Sequence, residues 1–362
     1  MKKVFGLLLL VSVLTVFLVG CGEHEIGKDL DKYPVTNDTV EDVELNLYII
    51  TDESTSDNAK ITVNTTIASY TLVNYHTEVN VHFFTADEYE EELIAAINSP
   101  ENTEDAPNVV LVNSPELMNS LVDTGKLLPL DSYLDSDAYG TLNVSISSLL
   151  AASVVDVNGE DVLLSIPNNH LIGEYEYLVI DKEIAKQTLK YSNTTLASYN
   201  TYEATADLRS DIVDKLGLNP DDYVQVVKGD YSLKAQLEAA GKVCNVVTYP
   251  IADEHEAFSS AFAIIDSGEV LNDRAMEIIY AINTDSDLRN YLQYGVFGTN
   301  YQLEDGKVVM VDSPENVYRM NLLYTGDIFT AFYCDELNWT AEIADSAKKQ
   351  NAQVVIEVPG QE

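Results

Sequence analysis

Between Val43 and Gly125, segments with the period of a strand alternate with segments that have the period of a helix, and this order constrains the fold more than any other feature. In "VELNLYIITD", Val43, Leu45, Leu47 and Ile49 alternate with more polar neighbours, as a strand with one buried face would. "ITVNTTIASYTLVNY" (61–75) follows as a helix, although its β-branched residues weaken helix propensity. "VNVHFF" (79–84) is a second strand. Thr85 stands three residues before Glu88, the spacing of a capping box, and Tyr89, Leu93, Ala96 and Ile97 line one face of the helix behind it. "NVVLVNS" (108–114) is a buried strand; Ser114 can cap the next helix, Pro115 suits its first position and Gly125 its end. Strand and helix in strict alternation predict a mostly parallel sheet with helices on its faces.

The pattern changes near residue 145. "VVDVNGEDVLLSIP" predicts a hairpin turning at Asn158-Gly159. "EYEYLVID" (174–181) is a further strand, residues 182–222 are mainly helical and polar, and "YVQVVKGD" and "NVVTYP" are strands of a second sheet. "FSSAFAII" (258–265) is strand-like, and "DRAMEIIYAIN" (273–283) is a helix with Met276, Ile279, Tyr280 and Asn283 near one face. From Pro314 onward the chain is expected to be mostly helical.

At the N-terminus, Lys2 and Lys3 precede an apolar run from Val4 to Val19. A spanning helix needs about 20 apolar residues, so this shorter run is expected to be a secretory signal peptide, the alternative being an uncleaved anchor. Leu18-Val19-Gly20-Cys21 resembles the lipobox of bacterial lipoproteins. That resemblance implies removal of residues 1–20 and a diacylglycerol thioether on Cys21, which becomes the mature N-terminus. Residues 21–42 are then a polar tether, reaching roughly 25 Å if flexible. The expected location is extracytoplasmic, anchored by lipid to the bacterial cell membrane.

Net charge is −40, which repels a nucleic-acid backbone and argues against DNA or RNA as a partner. With Cys21 assigned to lipid, Cys244 and Cys334 leave two readings open: a disulfide, or two buried small hydrophobes. Catalytic templates fail. "HEAFS" at His255 lacks the second histidine of a zinc-peptidase motif, and there is no GxSxG elbow and no P-loop. No metal site and no cofactor is expected. Among 60 carboxylates a glycosidase dyad can be neither singled out nor excluded. Tyrosine is abundant at 22 residues against the single Trp339. Tyr175, Tyr177, Tyr231 and Tyr249 fall at strand ends, where α/β sheets bind ligands. An aromatic face beside polar acceptors suits a sugar; the competing reading of each is a core tyrosine with its hydroxyl at the surface.

The stretch "APNVVLVNSPELMNSLVDTGKLLPLDSYL" (106–134) resembles the extracellular solute-binding proteins of ABC importers, in the family that includes the maltose-binding protein. It has a buried strand, a helix ending at glycine and a Leu-Leu-x-Leu run into "DSYL", with Asn108 where an acidic residue is usual. "IPNNHLIGEYEYLVIDKEIA" (166–185), "VKGDYSLKAQLEAAG" (227–241), "RAMEIIYAINTD" (274–285) and "YGVFGTNYQLEDGKVV" (294–309) are also similar, in the same order. The resemblance implies an α/β, two-lobed periplasmic-binding-protein-like fold, each lobe a mostly parallel sheet flanked by helices, with an interlobe hinge. One lobe holds 43–172 and 262–310, the other 178–255 and 315–358, and crossings fall near 173–178, 256–261 and 310–315. It implies a solute cleft between the lobes, an ABC permease as partner, and a monomer. By position it assigns solute contacts to Asn113 and Ser114 after the third strand, Glu174 and Tyr175 at the first crossing, and Asp230 and Tyr231 in the second lobe. Thr51 and Asp52 fit the cleft rim, and Asn168 and Asn169 are amide partners. Tyrosine at position 231, where tryptophan is frequent, leaves a sugar and a non-sugar polar solute both open, and a secreted glycoside-active enzyme is the alternative from another class. Mass spectrometry of the mature N-terminus should find lipid-modified Cys21; an intact Met1 would refute the cleavage.

Overall fold

The computed structural model describes residues 41–99, 104–190 and 195–356. The expected signal segment (1–20), Cys21 and nearly all of the tether (21–42) lie outside the described residues.

Strand β1 (Val43–Ile50) is buried on both faces from Leu45 onward, not on one as its alternation predicts. The reason is its place in the sheet. Helix α1 (Asp57–Tyr75), β2 (Thr77–Phe84), helix α2 (Ala86–Asn98), β3 (Val109–Val112) and helix α3 (Pro115–Asp123) follow, and β1 lies between β2 and β3, parallel to both. Its second face is therefore covered too. Buried Asn46 is tolerated there because its amide donates to the carbonyls of Glu104 and Ala106. The local signals hold. Thr85 and Glu88 form the capping box of α2, and Ser114 accepts from Leu117 N at the start of α3; α1 begins at Asp57, four residues before the expected Ile61, because Ser56 caps it.

Short helices α4 (Asp131–Leu134), α5 (Gly140–Ser145) and α6 (Ser147–Ala152) lead to the hairpin of β4 (Val154–Val157) and β5 (Glu160–Leu163). Its turn puts Asn158 at φ 58° and Gly159 at φ 87°, as an Asn-Gly turn requires. β6 (Ser165–Pro167) follows, and then the chain leaves for a second sheet. That sheet consists of β7 (Tyr175–Asp181), β8 (Val224–Gly229) and β9 (Lys242–Thr248), with helices α7 (Lys182–Leu189) and α8 (Tyr202–Leu216) before β8 and α9 (Tyr231–Ala239) after it. Leu178, Ile180 and Val224 pack with Leu208 and Ile212 of α8 on one face; Tyr175, Tyr177 and Cys244 pack with Leu233 and Leu237 of α9 on the other. Cys244 and Cys334 are both buried and free, in separate clusters, so they are small hydrophobes and not a disulfide.

After β10 (Ile251–Ala252) and helix α10 (Glu254–Phe258) the chain returns as β11 (Ala261–Ile264), so Phe258 is helical and the strand is shorter than "FSSAFAII" suggests. The first sheet has the order β2-β1-β3-β11-β6, with β11 antiparallel to both β3 and β6. It is mixed, and the β8-β7-β9 sheet is antiparallel throughout, which corrects the expectation of mostly parallel sheets. Alternation of strand and helix enforces parallel pairing only as far as α3. Beyond it, β11 arrives from the other sheet and meets β3 from the opposite end. Helix α11 (Glu269–Thr284) buries Met276, Ile279 and Asn283, with Tyr280 half-buried, and α12 (Ser286–Tyr294) follows at once.

The largest departure lies near the C-terminus. After the hairpin of β12 (Tyr301–Glu304) and β13 (Lys307–Met310), residues 311–340 are mostly irregular, with 3₁₀ turns at Leu322–Thr325, Ile328–Thr330 and Asp335–Leu337. Only α13 (Ala341–Asn351) is a regular helix, and β14 (Val355–Ile356) then pairs with β10. The irregular segment is partly buried, so its backbone groups need partners. Helix α12 supplies them. Arg289 donates to Leu322 O at 3.0 Å, Gln293 to Met320 O at 3.0 Å, Asn290 to Thr330 O at 3.2 Å and Tyr294 to Phe332 O at 2.7 Å. Gln293 also accepts from Thr325 Oγ1 at 2.6 Å. Replacing Gln293 with Leu strands two buried groups and should cost roughly 1–3 kcal/mol of stability, read as a lower urea midpoint at unchanged slope.

Candidate functional site

Three stretches of chain run between the sheets: 168–174 between β6 and β7, 253–260 between β10 and β11, and the irregular 311–340 between β13 and α13. They are held to one another by side chains. Asn168 Nδ2 donates to Ser260 Oγ at 2.9 Å and to Leu323 O at 3.3 Å, joining all three. Asn169 Nδ2 donates to Asp327 Oδ2 at 3.1 Å, and Ile328 N to Asn169 O at 2.9 Å. His170 is buried, lies 3.5 Å from Glu256 Oε2, and its Nδ1 is 2.7 Å from Asn168 O. From α13, Asn351 donates to His170 O and accepts from Ile172 N, while Gln350 donates to Ile172 O and Gly173 O. Gly173 has φ 61° and lies against Ile251, whose carbonyl oxygen would be 2.7 Å from an added Cβ; no other residue fits there.

The residues expected to meet a solute fall into separate groups. Thr51 and Asp52 follow β1 and are fastened to the irregular segment: Thr51 Oγ1 and Asp52 N both donate to Arg319 O at 3.1 Å. Thr51 is buried, whereas Asp52 is exposed. The hydroxyl and N–H of Ser54 donate to Asp52 Oδ1 and hold its carboxyl below the usual range. Asn168 and Asn169 meet the same segment further along. Asn168 has no exposed surface, and Asn169 is half-buried beside Asp327. Asn113 and Ser114 stand together after β3, both half-buried, with Ser114 Oγ engaged as a helix cap.

Tyr175, Asp230 and Tyr231 form another group around the end of α13. Tyr175 is buried and donates to Gln353 Oε1 at 3.3 Å, with Tyr177 and Tyr249 as ring neighbours. Asp230 caps α9, accepting from Ser232 N at 2.8 Å and Ser232 Oγ at 2.6 Å. Tyr231 is half-buried; its N–H donates to Gln350 Oε1 at 2.9 Å and its hydroxyl to Ile343 O at 3.3 Å. Glu174 is exposed next to Tyr175. Thr51, Asn168 and Tyr175 are interior: Thr51 Oγ1, Asn168 Nδ2 and the Tyr175 hydroxyl donate within the protein, while Asn168 Oδ1 is buried without a partner. Solvent reaches Asp52, Asn113, Ser114, Asn169, Glu174, Asp230 and Tyr231.

Sequence reasoning missed Asp327, Gln350 and Phe329. Asp327 and Phe329 lie on the irregular stretch, where no period marks which side chains turn inward, and Gln350 is a polar residue on the buried face of α13, in line with Ala344 and Ala347. Phe329 is half-buried, 5.7 Å from Trp339 by ring centroids, with Lys348 Nζ 5.4 Å over its face. A cavity of ≈ 490 Å³ lined by Tyr48, His82, Phe84, Glu92 and Asp105 lies between α2 and the β1–β2 pair and contains none of the expected residues. Among the described residues no group of three or more His, Cys, Asp or Glu side chains is placed to hold a metal ion.

Asp327 is a buried carboxyl at this junction. Burial pushes its carboxyl above the usual range, against the opposing pull of Phe329 N–H, Asn169 and the Arg289 guanidinium. Arg289 is itself lowered by burial to about 10. A carboxyl raised in the folded state favours folding when protonated and loses that contribution as pH climbs from its unfolded to its folded value. Asp327→Asn should therefore gain stability relative to the parent as pH rises through that window above the usual carboxylate range, measured by urea unfolding across pH. A pH-independent difference would remove Asp327 from the balance.

No family model and no curated protein matches the chain. Solved structures do. The N-glycan transport solute binding protein of Streptococcus pneumoniae, in complex with Man1GlcNAc, is 13% identical, with a TM-score of 0.53 over 87% of this chain and 84% of that one. The same protein without ligand is 14% identical at a TM-score of 0.53, and its Man5GlcNAc complex 13% identical at 0.52 over 87% of this chain and 83% of that one. The similarity is one of fold: this chain has the fold of that solute binding protein.

Proposed function

We propose that the protein is a lipid-anchored receptor outside the cytoplasm that captures a sugar or oligosaccharide and delivers it to an ABC permease. The observation that carries this reading is the shared fold, over 87% of the chain, with a transport receptor solved with glycans bound. In this reading residues 43–172 and 262–310 form one lobe, 178–255 and 315–358 the other, and the solute binds between them. The crossings near 173–178, 256–261 and 310–315 are the hinge, closing as two-lobed receptors do on their ligands. Asp52, Asn113, Ser114, Asn169, Glu174, Asp230 and Tyr231 meet the solute; Thr51, Asn168 and Tyr175 hold them from behind. Amide and carboxylate groups on several elements suit a polyhydroxyl ligand, and the Tyr231 ring gives its C–H surface a flat partner. The receptor acts as a monomer and does no covalent chemistry.

Thermal melting against a panel of oligosaccharides, amino acids and peptides tests this, with the same mixtures assayed for cleavage. A glycan at 100 times its dissociation constant should stabilise the protein by about 2.7 kcal/mol, with no product formed. Stabilisation by amino acids or peptides alone would replace the solute class. Release of a cleaved sugar would sink the receptor reading.

A further inference from the structure

The outer face of α1 exposes aliphatic side chains on an otherwise strongly acidic molecule. Of 362 residues 60 are acidic, yet the helical stretch from Ile61 to Tyr75 carries no charge of either sign. Its exposed positions are Ile61, Thr65, Ser69 and Val73, spaced by four and so forming a single ridge. Ile61 is 66% exposed and Val73 77%. The hydroxyls between them are turned inward: Thr65 Oγ1 donates to Ile61 O at 2.9 Å and Ser69 Oγ to Thr65 O at 2.8 Å. Flanking Thr62 and Thr66 do the same, to Asn58 O and Thr62 O. With its hydroxyl donors committed to the helix, the ridge offers a partner mainly aliphatic carbon.

The place of this ridge is as informative as its chemistry. Val43 N donates to His76 O at 3.1 Å and Asp42 lies 3.0 Å from His76 Nδ1, so the preceding chain joins the fold at the C-terminal end of α1, beside Val73. If Cys21 is the anchor, about 20 residues of tether start there and reach roughly 25 Å. We propose that the Ile61–Val73 ridge docks, transiently, on a helix of the membrane-embedded partner that receives the solute. This rests on the anchored-receptor reading. The partner helix offers an uncharged groove of small residues to the ridge, with basic side chains towards Asp57 and Asp42 at its two ends, whose carboxylates are 98% and 64% exposed.

Other occupants fit less well. A helix face that lies in lipid carries Lys, Arg and Trp, and this one has none. A stable dimer with a second copy buries about 800 Å² per partner, whereas one ridge of four positions is roughly 18 Å long at 1.5 Å per residue.

The test places a photoreactive phenylalanine analogue at Ser69 in the full chain, with Glu90 on the acidic outer face of α2 as the control position. After irradiation of intact producing cells, mass spectrometry should find Ser69-position adducts on an integral membrane protein and none from position 90. Adducts equal at both positions, only to a second copy, only to lipid, or absent would overturn the proposal. In parallel, Thr65→Lys with Ser69→Lys should cut solute uptake about tenfold or more through charge placed in an apolar contact, with melting and solute affinity unchanged. Unchanged uptake counts against the ridge. Failure of the parent protein to bind any solute counts against the receptor reading, and the adduct pattern still decides what α1 touches.

Discussion

The irregular segment 318–334 can be part of the interior only because α12 satisfies its backbone. Arg289, Asn290, Gln293 and Tyr294 lie on one side of a helix of nine residues and reach Met320, Leu322, Thr330 and Phe332. A buried carbonyl without a partner costs as much as a lost hydrogen bond or more. Without these donors the segment would have to run outside. Its position in turn places Arg319 O against Thr51 and Asp52, Leu323 O against Asn168, and Asp327 against Asn169. One polar helix face therefore arranges the groups at the ends of the first sheet.

A second set of amides does comparable work at the other end. Gln350 of α13 is fully buried and bonds to Tyr231, Ile172 and Gly173 at once. It ties the stretch leaving the first sheet to the helix that follows β8. Neighbouring Asn351 fastens His170 and Ile172. These contacts are hydrogen bonds between polar side chains and backbone, not packed hydrophobes, and such contacts can be exchanged for others without opening an apolar core to water. That property suits stretches which, in the proposed receptor, bend as the solute binds.

Much of the first sheet was legible before any coordinates. The caps at Thr85 and Ser114 and the Asn158-Gly159 turn depend on residues within four positions of one another, so sequence spacing contains them. The burial of both faces of β1 was not legible, because it depends on what β2 and β3 place beside it. At the candidate site the sequence marks strand ends, and burial is decided by the fold. Thr51, Asn168 and Tyr175, expected as solute contacts, are buried. Asp327 and Phe329 lay in a stretch read as helical, where nothing periodic points to them, and Gln350 is a polar residue on the buried face of α13.

By itself the sequence determined the strands and helices up to α3, the hairpin turn, the acidic surface and the uncharged stretch of α1. All of these follow from local spacing or composition. Only the tertiary structure decided that β11 runs antiparallel to β3, that the second sheet has no parallel pair, and that residues 311–340 remain irregular. The physical reason is the same in each case. Strand direction and the satisfaction of a buried backbone depend on partners far away in the chain: Ile264 meets Val109, and Leu322 meets Arg289.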